Sequence, residues 1–235
     1  MKIAILQPYF VPYRGYCQVL GAVDKFVVLD DVNYINRGWI NRNQIAMNGQ
    51  PMWLTLPLSA ASQNKVIREI EIAPDDGWKR KMERSLNAAY ARAPEAARIL
   101  PKFSDWLSRA EGNLSAFLYF TLCELKNLLE LKAEIIPSST VFPKNGLKGE
   151  DRILDICQQM GAKTYYNPSG GREIYDPHRF REAGVEFFFV QADFTSIQLQ
   201  GGLPECPNLS ILDLLMHNER QILAQAAGKF ELALS

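Results

Sequence analysis

The chain has no charge of one sign to spare. Lys plus Arg number 26 and Asp plus Glu number 26 in 235 residues, so no net field draws it to nucleic acid or to anionic lipid, and neither is expected as a partner. Histidine is almost missing. His178 follows Pro177 at a predicted helix start and His217 lies on an amphipathic pattern, so the chemistry is expected not to depend on a histidine base. Cys17, Cys123, Cys157 and Cys206 are scattered without a Cys-x-x-Cys pair, which indicates neither a disulfide framework nor a zinc site. Long apolar runs are lacking too: the stretch from Lys2 to Leu6 is only a strand long before Gln7 and Pro8, too short for a secretory core or a membrane span. The expectation is a soluble cytoplasmic protein with no metal site, and nothing in the sequence specifies an oligomeric state.

What is there is a series of short runs rich in branched and aromatic residues: 3–6, 26–29, 52–56, 134–136, 164–166 and 186–190. Helical patterns rather than tight turns join most of them, which predicts strand-helix-strand units and a Rossmann-like α/β fold with a mainly parallel sheet flanked by helices. Val66 to Ile72 alternates apolar with charged residues and is a candidate edge strand. Strand signals vanish from 75 to 132, where three helices are expected over 77–92, 94–108 and 114–131, with Asn113 or Ser115 as N-cap. The chain thus reads as a single α/β domain, 1–235, carrying an α-helical insertion at 75–132. A helix over 149–160 ends at Gly161, and a long helix over 209–227 is expected to close the domain.

In an open α/β sheet ligands collect beyond the carboxyl ends of the strands, so the residues following each strand carry the most weight. After the first strand comes the loop from Gln7 to Tyr16. Pro8 and Pro12 stiffen it, Gly15 allows close approach of a ligand, and Tyr9, Tyr13 and Tyr16 offer flat faces with hydroxyl tips. Two readings stand side by side, a nucleotide site or an aromatic plug on the core. The second strand stops on Asp30 and Asp31, suited to a ribose, a magnesium ion or an ammonium group, while Asp31 could instead cap the turn that follows. Arg42, between Asn41 and Asn43, is a natural clamp for a carboxylate or phosphate. Pro137 to Thr140 follows another strand. Ser169, Gly170, Gly171 and Arg172 have the composition of an anion-binding loop, and Lys148 sets a cation beside a helix start.

The stretches LQPYFVPYRGY, KFVVLDDV, GWINRNQI, LKGEDRILDIC, NPSGGREIYD and LSILDLL resemble the WbqC-like family, from the first residues to the last helix. The resemblance implies a place in O-antigen or other surface-polysaccharide biosynthesis, with acyl transfer, plausibly glycyl, or ATP-dependent amide ligation through an acyl adenylate, onto a nucleotide-linked amino sugar. A more distant similarity is to the nucleotidylyltransferase superfamily that includes pantothenate synthetases. Where that superfamily carries a His-x-Gly-His tetrad, this chain has Tyr13, Arg14, Gly15 and Tyr16; only the glycine matches, and phosphate gripping would pass to Arg14, Lys148 or Arg172.

Together these similarities imply ATP or a sugar nucleotide as cofactor, Mg2+ as its companion, and an amino acid with a nucleotide-linked amino sugar as substrates. Tyr13, Gly15 and Tyr16 would contact the nucleotide with Gln7 and Tyr9. Arg42 and Arg172 would meet phosphate or carboxylate, and Asp30 or Asp31 a metal, a ribose or the donor's ammonium. A glycosyltransferase or other sugar-nucleotide enzyme, and a non-catalytic nucleotide-binding subunit, are the alternatives.

Overall fold

The first apolar run forms β1 (Lys2–Leu6), the proline-rich loop leads into α1 (Arg14–Ala22), and β2 (Lys25–Val28) returns beside β1 in parallel, with Ile3 opposite Lys25 and Leu6 opposite Val28. The structure is a computed structural model, and it describes residues 1–192, 201–203 and 206–234. A hairpin of β3 (Arg42–Met47) and β4 (Gln50–Thr55) follows, then the short pair β5 (Leu58–Ser59) and β6 (Glu71–Ile72). Three helices come next: α2 (Trp78–Tyr90), α3 (Ala96–Ser108) and α4 (Leu114–Leu128). The chain re-enters the sheet at β7 (Glu134–Ile136), crosses through α5 (Gly149–Gln159) to β8 (Thr164–Pro168), and through α6 (Pro177–Glu182) to β9 (Glu186–Ala192). It ends in α7 (Ile211–His217), α8 (Arg220–Ala227) and β10 (Phe230–Leu234).

Six strands make the central sheet in the order β10-β9-β8-β1-β2-β7, parallel throughout except for β10, which lies antiparallel along β9. The alternation of side chains along β1 decides the two faces. Ile3 and Ile5 pack with Ile153, Ile156, Tyr165, Phe180 and Phe187 on the face covered by α5 and α6. Ala4 packs with Tyr16, Leu20, Phe26 and Tyr166 on the face covered by α1. A third core gathers the β3–β4 hairpin, the helices α2 to α4, α7 and the tip of the first loop through Phe10, Ile45, Leu86, Phe103, Leu118 and Leu215.

The mainly parallel sheet is as expected, and Asn113 is the N-cap of α4, accepting from the amide of Ala116 at 3.1 Å. Three expectations need correction. Residues 52–56 do not enter the parallel sheet: Asn48 and Gly49, at φ 51° and 73°, form a two-residue hairpin turn that sends β4 back along β3, and Asn-Gly is the residue pair this turn demands. Residues 66–72 are only partly extended, a 3-10 turn at Ile67–Glu69 preceding β6. The closing helix is two helices. Asn218, with extended backbone at φ −130°, ends α7 and donates its side-chain amide to the carbonyl of Leu214 at 2.9 Å.

Candidate functional site

Chain order reverses at β1. The chain moves from β1 to β2 and β7 on one side, then returns to β8 and β9 on the other, and in open α/β sheets the crevice between the two sets is where ligands bind. A cavity of about 470 Å³ lies there. Ile5, Leu6 and Gln7 line it from the end of β1; Tyr9, Tyr13 and Tyr16 from the loop and α1; Leu29, Val32, Ile35 and Trp39 from the chain after β2; Asn167, Pro168, Gly170, Gly171, Ile174 and Tyr175 from the chain after β8; and Asn208 from the approach to α7.

The first loop holds its shape through bonds of its backbone. The amide of Phe10 donates to the carbonyl of Ile40 at 3.0 Å and that of Ile211 to the carbonyl of Pro12 at 2.8 Å. Val11 sits at φ 38°, a strained setting for a β-branched residue that costs roughly 1–3 kcal/mol and persists only where neighbours impose it. They do: its carbonyl accepts from Asn43 Nδ2 at 2.9 Å and from Ser210 Oγ at 2.8 Å. The loop is therefore plug and wall at once, Phe10 and Val11 buried in the third core and the tyrosines turned to the cavity.

Among the described residues, no charged side chain lines the cavity. Its ionisable groups are tyrosines, and burial keeps them neutral. Loss of solvation, with smaller effects of Tyr9 and Cys17, pushes Tyr13 up to about 12. Desolvation likewise raises Tyr9 and Tyr175, and Tyr16 well above its ordinary value. The hydroxyl of Tyr16 donates to the carbonyl of Gln7 at 2.9 Å, and its ring lies 5.2 Å from that of Tyr9. Asn167 is also engaged, donating to the carbonyl of Pro168 at 2.9 Å and accepting from Tyr165 at 3.2 Å. A Cβ on Gly171 would lie 1.9 Å from Asn167 Nδ2, so any larger residue there would force the Asn167 side chain to move.

Asp30 and Asp31 lie elsewhere. Asp30 is buried and accepts from Ser115 Oγ at 2.9 Å, Ser138 Oγ at 2.7 Å and the amide of Ser139 at 3.3 Å. Asp31 accepts from Ser139 Oγ at 2.6 Å and pairs with Arg152 at 3.3 Å and Lys144 at 3.5 Å. Arg152 is itself buried, donating also to the carbonyls of Ser139 and Phe142. All four carboxylate oxygens thus have donors, an arrangement that does not fit Mg2+, and among the described residues no group of three or more His, Cys, Asp or Glu is placed to hold a metal ion.

The remaining candidates divide in the same way. Gln7, Tyr9, Tyr13, Tyr16, Gly170 and Gly171 meet at the cavity, while Gly15 is buried in the first turn of α1 behind them. Ser169 is exposed in the 3-10 turn beside Gly170, and Arg172 lies over the ring of Phe189 at 4.8 Å. Lys148 is exposed at the N-cap of α5. Arg42 covers Trp53, its guanidinium 4.0 Å from the ring centroid, and donates to the carbonyls of Gly38 and Arg37. Trp39, Tyr175 and Asn208 complete the wall without having been singled out. Aromatic side chains soon after a strand exit were the available signal for the first two; Asn208 had none.

A mainly parallel α/β sheet flanked by helices, with a cavity at its switch point, defines a Rossmann-like α/β protein. The profile of the WbqC-like protein family matches residues 7–225, and the chain belongs to that family. The uncharacterized protein Rv1507c of Mycobacterium tuberculosis is 30% identical over 224 residues, covering 92% of this chain and 93% of that protein. No solved structure matches the chain significantly. Among the described residues, no helix is long and apolar enough to cross a membrane.

Proposed function

We propose that the protein transfers an acyl group, of about the size of a glycyl unit, to the amine of a nucleotide-linked amino sugar during surface-polysaccharide (O-antigen) biosynthesis. The observation that carries this reading is the cavity at the switch point, with its tyrosine and tryptophan faces and its Gln7 and Asn208 amides. Aromatic faces with a few amide and hydroxyl groups suit a sugar ring. The exposed turn at Ser169 and Gly170 stands at the rim, where a diphosphate would remain in water. A triphosphate drawn into the cavity would meet no cation among the described residues, so a donor activated beforehand suits the site better than ATP-driven ligation.

Acyl transfer of this kind needs positioning and hydrogen-bond donors to the carbonyl oxygen more than a protein base. Tyr9, Tyr13 and Tyr175 keep their protons at neutral pH and are such donors. One observation favours a second reading, a binding subunit without turnover: among the described residues, no group that titrates near neutrality lines the cavity.

The test is thermal stabilisation by UDP-, GDP- and TDP-linked sugars and by ATP, since a ligand held only by the folded state must stabilise it. A mass-spectrometric search for the acylated sugar nucleotide follows. A shift with a sugar nucleotide that Tyr13→Ala abolishes, together with product, is the expected outcome; binding without product favours the subunit, and release of the free nucleotide diphosphate favours a glycosyltransferase. No shift with any of them defeats the reading.

A further inference from the structure

We infer that Asn167 is the hydrogen-bond donor that receives the acyl oxygen during transfer, held for that role by Tyr165; this rests on the reading just given. Asn167 sits at the end of β8, lines the cavity and is only 3% exposed. Its amide is held at both ends. The Oδ1 atom accepts from the hydroxyl of Tyr165 at 3.2 Å, and Nδ2 donates to the carbonyl of Pro168 at 2.9 Å. A backbone carbonyl only accepts, so the atom facing it has to be the nitrogen. An amide nitrogen carries two hydrogens, and among the described residues only one of them finds an acceptor. The other is left for a ligand.

Two neighbours fix where that hydrogen sits. Tyr165 is fully buried with its ring stacked on Phe180 at 5.3 Å, so the core sets the position of its hydroxyl oxygen. Gly171 leaves open the place of a Cβ, and Asn167 Nδ2 occupies it, 1.9 Å from where that carbon would be. Gln7, Tyr9 and Tyr13 also line the cavity, but among the described residues no side-chain hydrogen bond holds their polar atoms. A donor placed before the ligand arrives needs no reorganisation as charge develops on it. In the reaction, the lone pair of the sugar's amine bonds to the acyl carbon of an activated donor, an ester or thioester, and the carbonyl's π pair moves onto its oxygen. That oxygen meets the Asn167 N–H. Its pair then returns, the bond to the leaving oxygen or sulfur breaks with its electrons, and the nitrogen passes its extra proton to water.

The experiment measures kcat and KM for transfer from a glycyl thioester to the amino-sugar nucleotide that the stabilisation panel selects. Titration calorimetry adds the affinity for a phosphonate analogue, in which a tetrahedral, anionic phosphorus replaces the acyl carbon. Asn167→Asp keeps the side chain's shape, yet it has no hydrogen to offer: ionised it carries none, and neutral it carries one, which the Pro168 carbonyl takes. The expected result is a fall in kcat on the order of 10²-fold to 10³-fold, with KM for the sugar nucleotide unchanged and the analogue bound correspondingly more weakly. Tyr165→Phe keeps the ring in the core and frees one end of the amide, so a smaller fall in kcat is expected, again with KM unchanged. A kcat in Asn167→Asp equal to that of the unaltered protein overturns the inference and leaves the proposed function standing. So does an equal loss of affinity for the sugar nucleotide and the analogue, which makes Asn167 a ground-state contact. If Asn167→Asp does not fold, Tyr165→Phe decides, and an unchanged kcat there overturns the inference. Absence of product from the unaltered protein removes the transferase reading and this inference with it.

Discussion

Two strands that lie side by side, β1 and β2, end at the same edge of the sheet, yet their exits are opposites. Beyond β1 is an open cavity walled by tyrosines, with no charged side chain lining it among the described residues. Beyond β2 is a closed knot of charge in which Ser115, Ser138, Ser139, Lys144 and Arg152 hold the carboxylates of Asp30 and Asp31. The position after a strand nominates a residue for a site; whether its partners are already inside the protein decides what it does. An acid whose lone pairs are filled is a fastening, and a side chain that lines open space is available to a ligand.

Cutting the knot tests that contrast most severely. Arg152→Met leaves Asp31 buried beside a lone, half-exposed lysine, and breaking such a pair costs about 3–5 kcal/mol; the expected result is a large loss in urea-unfolding stability. If Arg152→Met unfolded no more readily than the unaltered protein, the knot would not be a fastening.

The neutral side breaks instead with alkali. Tyr13 is pushed from 10.0 to about 12, and Cys17 and Cys157 from 9.0 to about 12, by burial. The folded state then holds these protons more tightly than the unfolded chain. Their stabilisation is complete below pH 9 and is lost as pH rises towards 12, on the order of 3 kcal/mol for Tyr13 alone. Melting temperatures measured from pH 8 to pH 12 are expected to fall, and to fall less steeply in Tyr13→Phe.

Gly171→Ala drives a methyl against Asn167, and forcing an extra carbon into a packed wall costs about 1–3 kcal/mol. The expected outcome is a folded protein whose stabilisation by a sugar nucleotide is lost; an unchanged shift would put the ligand elsewhere. The smallest effect belongs to Arg42→Ala. Its guanidinium covers the exposed face of Trp53, a contact worth about 0.5–1 kcal/mol, so a slight drop in melting temperature with intact ligand binding is expected.

The alternation of buried strands with helical patterns made the sheet legible, because a parallel strand covered on both faces is a continuous apolar run. The hairpin was harder to read. Its first strand, Arg42–Met47, begins with three polar residues, and the signal lay in the Asn48-Gly49 pair instead. At the site, proline and tyrosine marked the β1 loop, whose Gln7, Tyr9, Tyr13 and Tyr16 line the cavity. The destiny of Asp31 could not be read, since Arg152 stands 121 positions away in an ordinary amphipathic helix.

The position of β1 in the sheet also dictates when the cavity comes into being. Translation delivers β1 first, and β2 can pair with it almost at once, but its other neighbour, β8, starts at Thr164. Until the ribosome has passed that point, one edge of the central strand is unpaired and the wall containing Gly171 and Tyr175 does not exist. Nascent chains shorter than this carry the tyrosine loop with nothing opposite it, so the cavity cannot form before Tyr175 has been made.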